Sequence, residues 1–280
     1  MWFVRKAARL RAAFLLLLPG LNACALHPWL SPHDRAEIIA REAGFESHKA
    51  NTGSFLLTTF QSSTSHDSDT LTVYIEGDGA PWGSVNTPPG DPTPPNPVSL
   101  ILATRDPRRP LVYIARPCQF LDQVKLSACS PKYWTSARFS IEVVAAIDQV
   151  VDKTKAAYHA TRIRLVGFSG GGVIAALIAA RRDDIESLVT VAAPLDVAAW
   201  STFHQITPLN DSLDPMNFIP ALSSVKQLHL LGEKDRIVSP TYARNLQARM
   251  PFAKFVLTPG YTHDCCWAES WPAPAIHGLQ

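Results

Sequence analysis

The chain has 280 residues and a formal charge of +2 with its histidines neutral. Four of its basic residues, Arg5, Lys6, Arg9 and Arg11, precede position 12, so residues 24–280 on their own, 257 in number, carry a formal charge of −2. That length suits one large α/β domain, and that balance excludes the basic face of a nucleic-acid-binding protein.

From the N-terminus, the basic n-region is followed by an apolar run, Ala12 to Leu18, too short to span a bilayer as a helix. Next comes Leu21-Asn22-Ala23-Cys24. A small residue before a cysteine, with leucine three positions before it, resembles the lipobox of bacterial lipoproteins. The resemblance implies that residues 1–23 are a lipoprotein signal peptide and that Cys24 is lipidated and becomes the new N-terminus. Ala25 in place of aspartate implies the outer membrane of the cell envelope, facing the periplasm. The alternative is an ordinary secretory signal cut nearby, which would leave an exported protein without the anchor.

Beyond that segment the pattern alternates. Ser54 to Gln61 and Leu71 to Ile75 read as strands with a polar turn between them. Pro88 to Pro97 reads as a rigid surface loop, Pro97 to Arg105 as a short helix, and Leu111 to Ala115 as a buried strand. Ser136 to His159 is the longest helical pattern, with Phe139, Val143, Ile147, Val150, Val151 and Tyr158 on one face. Strands follow at Ile163 to Gly167, Leu188 to Ala193, Val225 to Leu231 and Lys254 to Leu257. Helices are expected at Gly171 to Arg182 and Thr241 to Arg249. This alternation predicts βαβ crossovers, a mostly parallel sheet and one domain over residues 24–280. The stretch 197–224 interrupts it. With Trp200, Phe203, Ile206, Leu209, Leu213, Met216 and Phe218, it reads as a small cap that either packs on the body or lines an apolar pocket.

With Cys24 set aside, four cysteines remain, an even number for an oxidising compartment, and four allow three pairings. Cys118 and Cys129 close a short loop and are the first expectation. The remainder would make Cys265–Cys266 a vicinal bridge, unless the two regions cross-pair. A metal site at His263, Cys265 and Cys266 lacks the usual spacing between thiolates. No metal or cofactor is expected.

The chemistry centres on Gly167-Phe168-Ser169-Gly170-Gly171. A Gly-x-Ser-x-Gly between a strand and a helix lifts the serine hydroxyl on a tight turn above the end of a sheet. Asp235 lies just past a strand in Gly232-Glu233-Lys234-Asp235-Arg236-Ile237-Val238, and His263 just past the last one in Gly260-Tyr261-Thr262-His263. The order Ser169, Asp235, His263 and these motifs resemble the α/β-hydrolase superfamily over the whole mature chain. The runs Tyr74-Ile75-Glu76-Gly77-Asp78-Gly79 and His263-Asp264-Cys265-Cys266-Trp267 look most like its bacterial envelope lipoprotein branch, whose substrate is unsettled. A serine needs a base to take its proton, and histidine, which titrates near neutrality, suits that role. Asp235 is expected to orient the imidazole, with Asp196 as the alternative acid. Asp264, adjacent to His263, is poorly placed to do so.

The backbone N–H groups of Gly170 and Asp78 are the expected oxyanion-hole donors, with Gly79 as second choice for the latter. Family members commonly carry His-Gly where this chain has Glu76-Gly77. The implied function is a carboxylesterase-like serine hydrolase working through an acyl-enzyme on a small-molecule or lipid-like acyl substrate. The alternatives are a thioesterase, peptidase or acyltransferase with the same triad, or a binding or assembly protein that keeps the fold without the catalysis. Oligomeric state stays open at this level.

Overall fold

Helix α1 (Pro32–Glu42) starts on the Ser31 cap, whose side chain accepts from the Asp34 N–H, with Pro32 in the first turn. The computed structural model describes residues 30–62, 68–80, 82, 84 and 87–272. Residues 1–23, expected to be a signal peptide, and Cys24 lie outside them. After α1 come β1 (Phe45–Asn51), β2 (Leu56–Ser62), β3 (Thr70–Ile75), α2 (Val98–Arg105), β4 (Leu111–Ile114) and the single-turn α3 (Gln123–Leu126). Then follow α4 (Ile141–Ala157), β5 (Arg162–Phe168), α5 (Gly170–Ala179), β6 (Ile185–Val191) and α6 (Val197–Phe203). The chain continues with the short α7 (Ile219–Leu222), β7 (Gln227–Gly232), α8 (Pro240–Arg249) and β8 (Lys254–Thr258).

The eight strands form one sheet in the order β1-β2-β4-β3-β5-β6-β7-β8. The six from β4 to β8 run parallel, while β2 is antiparallel to both β4 and the edge strand β1. The α/β class and the mostly parallel sheet expected from the alternation are what the chain forms. The sequence reading missed α1, β1 and the single-turn α3, and it gave no helices to the stretch 197–224, where α6 and α7 lie. In β1 only Phe45 is buried, and its other side chains are mostly exposed. With no apolar alternation to read, it is a strand only because β2 lies beside it. The long helix begins at Ile141 rather than Ser136, because the Ser140 side chain caps it by accepting from the Val143 N–H.

The sheet has an apolar layer on each face. Leu71, Val73 and Ile75 point into a core with α4, α5 and α8, whereas Tyr74 points into the opposite core with α1, α2 and Trp271. This is the period of two that a strand imposes on its side chains. All ten residues of α5 are buried, as a helix apolar all round must be. Cys118 is bonded to Cys129 with their Cα atoms 6.0 Å apart, and Cys265 to Cys266. Among the described residues no helix is long and apolar enough to cross a membrane.

The parallel register positions the site. Ile75 of β3 pairs with Gly167 of β5, Phe168 with Val191 of β6, and Gly232 of β7 with Thr258 of β8. The loops after β3, β5, β7 and β8 therefore leave from one edge of the sheet, where open α/β sheets place their sites.

Candidate active site

Ser169 sits between β5 and α5 at φ 50° and ψ −124°, a left-handed conformation that costs a non-glycine residue free energy. Its N–H donates to the Val191 carbonyl at 2.8 Å and its carbonyl accepts from the Gly172 N–H at 2.9 Å. The glycines around it are required by close approach. A Cβ on Gly167 would lie 2.4 Å from the Gly171 carbonyl oxygen, and one on Gly171 would lie 2.3 Å from that of Ile75. The turn can press against β3 only because neither residue has a side chain.

The loops after β7 and β8 meet over this turn. His263 Nε2 is 3.0 Å from Ser169 Oγ, and His263 Nδ1 is 2.9 Å from Asp235 Oδ2. An imidazole protonated at Nδ1 donates to Asp235 and leaves Nε2 to accept the serine proton. The second carboxylate oxygen of Asp235 accepts from the N–H groups of Ile237 and Val238, both at 2.8 Å. Asp235 is 3% exposed and Ser169 9%. His263 is held by more than its ring nitrogens: Phe168 packs 5.2 Å from it, and the Trp267 indole donates to its carbonyl at 2.9 Å.

Asp196 is elsewhere. It caps α6 by accepting from the Ala199 N–H, pairs with Arg249, and its carbonyl accepts from the Tyr242 hydroxyl at 2.6 Å. It lies past the end of β6 as a structural cap. Asp264 is exposed.

The loop after β3 reaches the same turn. A Cβ on Gly170 would come within 2.0 Å of Asp78 Oδ1, so the two expected donors belong to touching segments. The N–H groups of Gly170 and Asp78 have no acceptor among the described residues. Glu76, which replaces the family's histidine, is buried. It accepts from the N–H groups of Gly77 and Ser99 and from the Tyr113 hydroxyl. Burial pushes its carboxyl up to about 7. Gly79, at φ 95°, passes so close to the Pro92 carbonyl that a Cβ would sit 1.8 Å from it.

Sequence reasoning missed Arg116 and Arg138. Arg116 Nη1 donates to Asp78 Oδ1 at 2.9 Å and Arg138 Nη1 to Oδ2 at 3.0 Å. The available signal was an arginine two positions past the apolar strand β4, and nothing local says which carboxylate it meets.

The cap divides its side chains. Met216 is buried, and Trp200, Leu209, Leu213 and Phe218 pack against the core below α5. Phe203 and Ile206 are exposed. Trp200 Nε1 donates to the Ile237 carbonyl at 2.8 Å and His204 Nε2 lies 2.7 Å from it, tying α6 to the Asp235 loop.

Solved structures with this fold include a membrane phospholipase A described as a bacterial virulence factor. It is 16% identical, with 89% of this chain and 91% of that one covered and a TM-score of 0.59. Est1E from Butyrivibrio proteoclasticus is 14% identical, with 83% and 95% covered and a TM-score of 0.56. A Pyrococcus furiosus esterase is 14% identical, with 85% and 90% covered and a TM-score of 0.53. No curated protein matches at the level of sequence. Residues 121–263, half of the chain, match the family described as serine hydrolase (FSH1). The chain has the α/β-hydrolase fold and belongs to the FSH1 serine hydrolase family.

Proposed function

We propose that the protein is a carboxylesterase-like enzyme in which Ser169, His263 and Asp235 act as one unit through an acyl-enzyme. The observation that carries this reading is the unbroken hydrogen-bond chain from Asp235 through His263 to Ser169. His263 Nε2 takes the Ser169 proton as Oγ attacks the acyl carbon, and Asp235 stabilises the imidazolium that results. The carbonyl oxygen becomes an anion and is received by the N–H groups of Gly170 and Asp78. His263 then gives its proton to the departing alkoxide, which leaves as the alcohol. Water, deprotonated by the same imidazole, attacks the acyl-enzyme, and the acid leaves as Ser169 recovers its proton.

The acyl group is proposed to be lipid-like. In support, Phe203, Ile206 and Ile237 present exposed apolar surface at and beside the cap, and one structural neighbour is a membrane phospholipase A. Residues 1–23 are proposed to be removed and Cys24 lipidated, so that residues 24–280 work in the cell envelope at the outer membrane.

A fluorophosphonate probe tests the chemistry, because it phosphonylates an activated serine. The wild-type protein should label, and Ser169→Ala should not. On an ester that the wild type hydrolyses, Ser169→Ala and His263→Ala should each lower kcat by several orders of magnitude. The double variant should be little worse than either, since members of one unit do not contribute additively. Labelling that survives in Ser169→Ala would locate the nucleophile elsewhere.

A further inference from the structure

The Asp78 carboxylate is gripped from two sides. Arg116 follows β4 and Arg138 precedes α4, and their side chains are only 4% and 10% exposed. Each is tied down again behind the carboxylate. Arg116 Nη2 donates to the Arg138 carbonyl, Arg138 Nε donates to that of Thr135 at 2.8 Å, and the Arg116 guanidinium lies 5.3 Å over the Phe139 ring. Gln119 Nε2 holds the next link of the loop, donating to the Gly77 carbonyl at 3.0 Å. Burial disfavours the Asp78 anion, yet Arg138 and Arg116 outweigh it and hold the carboxyl below its ordinary range.

Two buried guanidiniums around a partly exposed carboxylate are an expensive way to fix a loop. Burying ions costs desolvation that their mutual attraction repays poorly, and apolar side chains of similar volume do as well for stability. What an ion cluster supplies is a defined position. Here that position is against Gly170, where one main-chain N–H of the loop must meet an anion. Two cations around one carboxylate also leave one positive charge unbalanced beside that anion.

We propose that Arg116 and Arg138 are positioning residues of the oxyanion hole. By clamping the Asp78 side chain they aim its backbone N–H at the carbonyl oxygen and add a net positive charge behind it. The proposal rests on the reading of Ser169 as nucleophile and of Asp78 N–H as donor.

The test uses the mature protein, p-nitrophenyl butyrate as substrate, and phenylboronic acid, whose tetrahedral serine adduct mimics the oxyanion. Arg138→Gln should lower kcat by about 10²-fold, the effect of displacing a reacting contact by about 1 Å, with KM unchanged. Its affinity for phenylboronic acid should fall in step with kcat, and Arg138→Lys, which keeps charge and one donor, should recover part of both. Arg182→Gln is the control. It breaks a remote ion cluster with Asp148, Asp152 and Asp184, so it should lower Tm and leave kcat alone.

Wild-type kcat in Arg138→Gln would overturn the proposal. So would a rise in KM alone, which would make the arginines a site for an anionic substrate. A loss of kcat in Arg182→Gln equal to that in Arg138→Gln would reduce the effect to stability and overturn it too. If Arg138→Gln does not fold, Asp78→Asn carries the test, because it keeps the shape and the backbone donor but loses the ion pairs. Wild-type kcat there overturns the clamp. Failure of the underlying reading looks different: Ser169→Ala would then keep its turnover, whereas an inert Ser169→Ala beside a fully active Arg138→Gln sinks the clamp alone.

Discussion

Two buried side chains far from each other in sequence, Glu76 and His229, give the stability opposite dependences on pH. Desolvation raises the Glu76 carboxyl from 4.5 to about 7. Between those values the folded chain keeps a proton that the unfolded chain has released. The contribution of Glu76 is therefore complete below pH 4.5 and is lost as the pH rises to about 7. Burial lowers the His229 imidazole from 6.5 to about 3. Here the unfolded chain binds the extra proton, so stability is lost as the pH falls below 6.5. From pH 4.5 to 6.5 the two slopes oppose each other. Glu76→Gln should remove one of them, since an amide can still accept from the Gly77 N–H and can donate to the Tyr113 oxygen. Its stability relative to wild type should grow by on the order of 3 kcal/mol as the pH rises from 4.5 to about 7, and then level off. Urea unfolding at stepped pH measures this. A difference that does not change with pH would show that Glu76 is ionised throughout.

At the scale of elements, the segment between β4 and α4 joins stability to the site. It begins with Arg116 and ends with Arg138, and between them the Cys118–Cys129 bridge encloses α3. Cys118, Leu121, Leu126 and Trp134 form a small core of their own, and the Trp134 indole donates to the Pro89 carbonyl at 2.9 Å. So little apolar area cannot hold the segment as firmly as the main sheet is held. The bridge supplies the remainder by restricting the unfolded chain. Replacing both cysteines by serine should cost about 3 kcal/mol in the chain-entropy account for a loop of this size. Chemical denaturation of the two proteins under non-reducing conditions gives the difference. Equal midpoints would mean that the bridge contributes nothing to folding. The neighbouring strands explain what was legible here. The strands β3 to β7 each carry a cluster of buried apolar side chains that reads as a strand in the sequence, whereas α1 and β1 do not, because one is mostly polar and the other is an exposed edge.

For the whole molecule, the proposed anchor has a test of its own. If Cys24 carries the lipid, Cys24→Ser should move the protein from the membrane fraction to the soluble fraction, or leave it unprocessed, and abolish labelling by radioactive palmitate. Retained labelling would refute the anchor. By itself the sequence determined the alternation that builds a parallel sheet, the glycines that let the Ser169 turn close on β3, and the order of serine, acid and histidine. These are local properties, carried by periodicity and by the absence of side chains at named positions. Only the tertiary structure decided partnership. His263 meets Asp235 across 28 residues and Ser169 across 94, while Asp196, the alternative acid, is taken up in capping α6. Asp78 meets Arg116 and Arg138 across 38 and 60 residues. No pattern along the chain encodes such distances. They follow from which strands are neighbours, and that is settled when the two apolar faces of the sheet are buried together.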